Sequence, residues 1–332
     1  VKIGVLGTGS LGTALAAHFY KLGYDVVWWG RNAELVEHIN THHRNPKHMS
    51  EFLLPHDLKA TNDMSLLSQV PYIISAVPTP YLRSVWNKLK EHIVNPTVIN
   101  TSKGIEVDTG MFAHEIFREI FPSGTFMALS GPSFAREILK GFPTAVVLVG
   151  PQKHTSQLIK EWSTPVLRVY SAEDLVGVEL AGAYKNVLAI ASGAVSGLGL
   201  GENTRAALIT RGIAELTRLG IALGAQMKTF MGLAGVGDII LTCSSKESRN
   251  YSLGWNIGRG LSVDDALSRL KGYPEGYKTS LAMKHLSHEL GVETPIVDAV
   301  ASVLHEGKSI RRVLADLLSR PPKREFWGIE EN

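Results

Sequence analysis

The stretch Lys2-Ile3-Gly4-Val5-Leu6-Gly7-Thr8-Gly9-Ser10-Leu11-Gly12-Thr13-Ala14-Leu15-Ala16 decides how the rest of the chain is read. A short apolar run ends at Gly7, Gly9 and Gly12, and a sequence of good helix formers follows. That order predicts a buried strand, a tight turn and a helix, the G-x-G-x-x-G placement that a dinucleotide needs. Gly7 makes the turn, Gly9 lets backbone N–H groups approach a pyrophosphate, and Gly12 lets helix and strand pack closely. The pyrophosphate would then meet the positive end of the helix dipole, over Gly7, Gly9, Ser10, Leu11 and Gly12. Glycine-rich turns also arise for steric reasons alone. The strand before this turn and the helix after it favour the cofactor reading.

Working outward, further apolar runs at 25–29, 72–77, 98–101, 126–130 and 145–149 read as strands, with 166–170 a weaker addition. Amphipathic stretches such as 13–22 and 81–92 lie between them. Buried strands alternating with helices indicate βαβ units and a parallel sheet. After about residue 174 the β-branched runs give way to Ala, Gly and Leu at helical period, over 175–198, 204–223, 252–259, 263–270, 279–290 and 295–305. The expected fold is therefore α/β: an N-terminal Rossmann-type dinucleotide-binding domain over 1–173, then an all-helical C-terminal domain over 174–332 that carries the substrate chemistry. The tail from residue 320 contains Pro321-Pro322, which cannot continue a helix, and is expected to be extended.

Composition narrows the function classes. Of 332 residues 44% are hydrophobic and 20% charged, which is globular rather than disordered. With 34 basic against 31 acidic residues the net charge is +3, too balanced to argue for nucleic acid. A single cysteine, Cys243, rules out an intrachain disulfide and suits a reducing compartment. The histidines show no metal-ligand spacing, so no metal is expected. No signal-peptide pattern opens the sequence, and the apolar runs are broken short of a membrane span. A cytoplasmic protein without an integral membrane segment is the expectation, and a homodimer follows only from the general frequency of dimers.

Several segments carry candidate chemistry. The second strand ends at Trp28-Trp29-Gly30-Arg31, with no acidic residue placed to take a ribose 2′-hydroxyl. Gly30 would leave room and Arg31 would offer a fork to a 2′-phosphate, favouring NADP over NAD. The other reading is an exposed arginine after a strand. Leu180-Ala181-Gly182-Ala183-Tyr184-Lys185-Asn186-Val187-Leu188 reads as a helix buried all round, with Lys185 in its middle. Burial depresses a lysine pKa toward the range where it exchanges protons. The alternative is a lysine reaching the surface along its aliphatic stem. Gly235-Val236-Gly237-Asp238 places a carboxylate among glycines, and Ser248-Arg249-Asn250 at a helix mouth makes a phosphate cradle. Ser248 is equally suited to be a helix cap and Arg249 a solvated charge. Lys103-Gly104 follows a strand at its carboxyl end, where open α/β sheets bind ligands.

Taken together these residues resemble the bacterial NAD(P)-dependent glycerol-3-phosphate dehydrogenases. The likeness runs through Thr101-Ser102-Lys103-Gly104-Ile105-Glu106, Ser130-Gly131-Pro132-Ser133-Phe134-Ala135, residues 177–187, Gly237-Asp238 to Ser245, Ser248-Arg249-Asn250 and Glu275-Gly276. The resemblance implies a dehydrogenase interconverting dihydroxyacetone phosphate and sn-glycerol 3-phosphate with NADP or NAD, supplying the backbone of phospholipids. It makes Lys185 the proton donor and acceptor, and implies substrate contacts for Lys103, Gly131, Ser133, Asn186, Asp238, Thr242, Ser248, Arg249 and Asn250. It implies cofactor contacts for Ser10, Leu11, Arg31, Lys103, Ala135, Arg249, Tyr273 and Glu275. Leu11 and Pro274, and the Lys47-His48-Met49-Ser50 insertion ahead of Leu54-Pro55, depart from the family's pattern. A β-hydroxyacid dehydrogenase of similar architecture and a non-catalytic nucleotide sensor are the other readings. The Ser248–Asn250 cradle argues against the first, and intact Lys185, Lys103 and Asp238 against the second.

Overall fold

A computed structural model describes residues 1–329, so the last three residues of the expected second domain lie outside the described residues. Two compact units are present: 1–102 with 113–173, and 103–112 with the chain from 174 onward.

The first unit is built on one eight-stranded sheet in the order β3-β2-β1-β4-β5-β6-β7-β8. Along the chain run β1 (Lys2–Leu6), α1 (Ser10–Lys21), β2 (Asp25–Trp29), α2 (Ala33–His42), β3 (Ala60–Thr61), β4 (Ile73–Ser75), α3 (Leu82–Lys90) and β5 (Thr97–Asn100). Then come α4 (Ala113–Ile120), β6 (Thr125–Ser130), α5 (Ala135–Lys140), β7 (Thr144–Val149), α6 (Gln152–Trp162) and β8 (Leu167–Ala172). β1 lies between β2 and β4 and is buried after its first residue, which explains its unbroken apolar run. The strand order reverses between β1 and β4, and the glycine turn follows β1 at that switch point. Two details depart from the sequence reading. β7 pairs antiparallel with β6, so the sheet is mixed, and a two-residue edge strand, β3, was not expected. A strand's apolar pattern records burial, not the direction of its neighbour, and two residues make no pattern at all.

The second unit is helical: α7 (Leu175–Gly197), α8 (Glu202–Ala222), α9 (Met227–Phe230), α10 (Asp238–Ser244), α11 (Arg249–Gly258), α12 (Val263–Ser268), α13 (Gly276–Glu289), α14 (Pro295–His305) and α15 (Ile310–Leu318). α7 is the axis. It packs against α8, α10, α11, α13 and α14, and its apolar residues lie in one cluster that spans the unit. Ile105 and Phe112 join that cluster, which is why 103–112 groups with the helices. By length and composition α7 would pass for a membrane span, but 83% of its most apolar window is buried in the structure. The tail is not simply extended: residues 325–328 form a turn, and the Arg218 guanidinium lies 5.2 Å from the Trp327 ring centre.

Candidate functional site

In the first unit Gly7, Gly9, Ser10, Leu11 and Gly12, expected to meet the pyrophosphate, lie on one turn. Gly7 has φ +119°, and a Cβ there would come 2.8 Å from the Ala76 carbonyl oxygen. At Gly12 a Cβ would sit 2.2 Å from the Gly7 oxygen, so only glycine allows α1 to approach β1. Gly9 differs: a Cβ there meets nothing within 4 Å, leaving open space above the turn. Ser10 and Leu11 begin α1, whose first turn has no side-chain cap and no acidic residue. Those N–H groups and the open side of Gly9 fit an anion such as a pyrophosphate.

Arg31 is exposed beyond β2, with its guanidinium carbon 5.9 Å from the Tyr81 ring centre. The expectation that Gly30 leaves room for a ligand needs correction. Gly30 is buried, and a Cβ there would meet Thr8 Cγ2 at 2.5 Å, so its space is taken by the glycine turn itself. Sequence reasoning also missed Asn45. Fully buried, it donates to the Thr8 carbonyl oxygen at 2.8 Å and to Thr13 Oγ1 at 2.9 Å, tying the 43–55 loop to the turn. A lone asparagine in a polar loop gives no signal of this. Gly131 has φ +130° where the chain leaves β6, with the Ser133 hydroxyl donating to its carbonyl oxygen and Ala135 opening α5.

In the second unit a charge cluster forms around Asp238. A π-helical turn, Leu233–Gly237, delivers this carboxylate at the first residue of α10, 1% exposed. Lys103 Nζ donates to one oxygen at 2.6 Å and Lys185 Nζ to the other at 2.6 Å. Lys185 also donates to Thr242 Oγ1 at 3.0 Å, one helical turn along α10 from Asp238. The lysine does not reach the surface; it is 7% exposed. Burial, helped by the Lys103 charge, lowers its pKa to about 8, against the pull of Asp238. Burial would raise the Asp238 carboxyl, but the two ammonium groups outweigh it and hold the pKa below the ordinary value. Two ammonium groups thus share this carboxylate in a nearly dry cluster.

A neutral network adjoins it. Asn186 donates to the carbonyl oxygen of Lys103 at 2.8 Å, and its own amide oxygen accepts from Asn250 at 2.9 Å. The Asn250 amide oxygen accepts the Gly276 N–H at 2.9 Å. A Cβ at Gly276 would meet the Asn186 carbonyl oxygen at 2.6 Å, so α13 starts there only because the residue is glycine. Ser248 caps α11, its hydroxyl accepting from the Tyr251 N–H at 3.2 Å. The helix thus opens at Arg249, three residues before the expected start, and Arg249 and Asn250 form its first turn. Arg249 is exposed, and a Cβ at Gly272 would lie 3.0 Å from its guanidinium, so the arginine borders the loop of Tyr273 and Glu275. The sequence-selected residues of this unit therefore fall into one connected group.

Comparison with known proteins decides the family. The N-terminal and C-terminal models of NAD-dependent glycerol-3-phosphate dehydrogenase match residues 2–156 and 174–315. The chain belongs to the NAD-dependent glycerol-3-phosphate dehydrogenase family. A family relative from Leptospira biflexa, named a glycerol-3-phosphate dehydrogenase for NAD(P)+, is 43% identical over 98% of this chain and 99% of its own. One of the same name from Staphylococcus epidermidis is 42% identical over 98% of this chain and 99% of its own. The crystal structure of the Coxiella burnetii glycerol-3-phosphate dehydrogenase superposes with a TM-score of 0.92 at 33% identity, covering 96% of this chain and 99% of that one. The Rossmann-type α/β unit and the helical unit are those of the family.

Proposed function

We infer that the chain interconverts dihydroxyacetone phosphate and sn-glycerol 3-phosphate with NADP or NAD, and that Lys185 carries the proton. The observation behind this reading is a lysine in the middle of a buried helix, held by Asp238 and Thr242, with a pKa near 8. In the reducing direction, protonated Lys185 donates from Nζ to the oxygen developing at C2, combining general-acid catalysis with charge stabilisation. In the oxidising direction neutral Lys185 takes that proton back. Bound at the glycine turn, the nicotinamide cofactor supplies or accepts the hydride.

The other roles follow from chemistry and placement. Lys103 and Asp238 set the charge state of Lys185, and the two ammonium groups suit an anionic substrate. Thr242 of α10 and Ser248, Arg249 and Asn250 hold the phosphate, the last three at the N-terminus of α11, where donors and dipole favour an anion. Asn186 positions the Lys103 backbone and Asn250, while Gly131 and Ser133 meet the substrate. Gly7, Gly9, Ser10, Leu11 and Gly12 hold the pyrophosphate, with Ala135, Lys103, Arg249, Tyr273 and Glu275 as further cofactor contacts. Arg31 meets a 2′-phosphate and favours NADPH. The first unit carries the glycine turn for the cofactor, and the second carries Lys185 and the phosphate cradle for the substrate. A cytoplasmic setting and a homodimer complete the reading, the latter to be read by light scattering.

Lys185→Met tests it. Folding and cofactor affinity should remain near wild type while kcat falls about 10²–10⁴-fold, the usual contribution of a positioned acid. Near-normal turnover of dihydroxyacetone phosphate in the variant would refute the assignment.

A further inference from the structure

Three consecutive residues of α7 each make a directional bond to a different neighbour. Tyr184 donates its hydroxyl to Glu215 of α8 at 3.0 Å. Lys185 reaches Asp238 of α10, and Asn186 the Lys103 carbonyl oxygen and Asn250 of α11. Successive helical residues are rotated by about 100°, so these bonds leave the axis in three directions. Around them α7 presents Leu180, Ala181, Ala183, Val187 and Leu188, all fully buried. Close glycine contacts hold α7 against α11, where a Cβ at Gly254 would meet the Ile190 carbonyl oxygen at 1.8 Å; on the α8 side the apolar packing is non-directional, and the Tyr184 bond supplies the direction.

Glu215 is fully buried and lies on the inward stripe of α8 with Gly212, Leu216 and Leu219. Besides the tyrosine it accepts the N–H groups of Ile296 and Val297, in the first turn of α14, at 2.9 and 3.0 Å. Burial pushes its carboxyl up to about 7, opposed by those N–H groups, the tyrosine hydroxyl and the Arg218 guanidinium. A buried carboxylate adds little net stability over a well-packed apolar side chain, but it specifies geometry. We propose that Glu215, acting through Tyr184, is a positioning residue that sets the rotation of α7 and so the aim of Lys185. This rests on the reading of Lys185 as the proton donor.

Tyr184→Phe keeps the ring and the α14 cap and removes only the tether. In the reducing direction kcat should fall about tenfold while KM for dihydroxyacetone phosphate stays within about twofold. The alkaline midpoint of kcat should move down by about half a unit as the Lys185–Asp238 pair loosens. Lys185 responds to the charges of Asp238 and Lys103, which the variant keeps; losing the tyrosine hydroxyl pushes the Glu215 carboxyl up further, but that carboxylate is not among the charges that shift Lys185, so a moved midpoint reports geometry. A purely structural tether would lower Tm and move neither kcat nor midpoint, and that result overturns the proposal. Should Tyr184→Phe not fold, Glu215→Gln is measured in its place: a lowered kcat with a moved midpoint supports the proposal, and an unchanged kcat and midpoint overturn it. Lys185→Met run alongside separates the two claims: if it keeps turnover, the proton-donor reading fails. If it is inactive while Tyr184→Phe matches wild type in kcat and midpoint, only the positioning role fails.

Discussion

Asp238→Asn is the most informative perturbation, because one carboxylate holds two lysines and sets the charge of Lys185. Both ammonium nitrogens stand 2.6 Å from its oxygens, and the side chain is 1% exposed. At an effective dielectric near 20, a charge pair at roughly 4 Å is worth about 4 kcal/mol, or about three pKa units. The variant keeps the two influences that lower the Lys185 pKa, burial and Lys103, and loses the one that raises it. The pKa should therefore drop from about 8 toward about 5. At pH 7 the protonated fraction then falls from about nine-tenths to about one-hundredth, so kcat for reduction should fall about a hundredfold. Because the acid form is needed, the loss should shrink as pH falls toward the new pKa. Breaking the buried charge cluster should also cost about 3–5 kcal/mol of stability, visible as a lower Tm. NADPH oxidation with dihydroxyacetone phosphate, followed from pH 5 to 9 below the variant's melting range, measures this. A midpoint unchanged from wild type would refute the claim that Asp238 sets the charge of Lys185.

Three further outcomes are expected. Gly9→Ala should leave Tm unchanged, since a Cβ there meets nothing, yet weaken NADPH binding in a fluorescence titration; Gly12→Ala should lower Tm as well, because its Cβ would lie 2.2 Å from the Gly7 oxygen. Arg31→Ala should weaken NADPH by about 1–3 kcal/mol and NADH much less in the same titration; equal weakening would assign the arginine to packing or to adenine. Arg249→Ala should raise KM for dihydroxyacetone phosphate by one to two decades, roughly, less than for a dry contact because the side chain is exposed. Dihydroxyacetone, which lacks the phosphate, should be hardly affected, and an equal effect on both would remove Arg249 from the phosphate site.

Much of the site was legible because its signals are local. Lys185 stood out as the one charge in the apolar run between Glu179 and Glu202, and the glycine turn as three residues at fixed spacing after a strand. Ser248 and Arg249 were legible as a helix mouth, though α11 starts earlier than its periodicity indicated. The Ser248 cap made with the Tyr251 N–H replaces the apolar pattern there. Gly30 was misread because a glycine beside a turn looks the same whether its space goes to a ligand or to Thr8. Glu215 gave a readable sign, a carboxylate on an otherwise apolar stripe, but nothing nearby in sequence named its partners.

The sequence alone determined most of the strands and the long helices, where the glycine turn lies, and which lysine is buried. Those properties depend on neighbours within one turn or one strand, and on periods of 2 and 3.6 residues. Only the tertiary structure decided that Asp238 joins Lys185, 53 residues away, and Lys103, 135 residues away. The same holds for Asn45 beneath the glycine turn, Tyr184 on Glu215, and the antiparallel turn of β7. Each is a pairing between distant segments, selected by which elements pack together and which buried polar groups must then find a partner. A local pattern can announce that a group will be buried; only the packed chain decides what meets it.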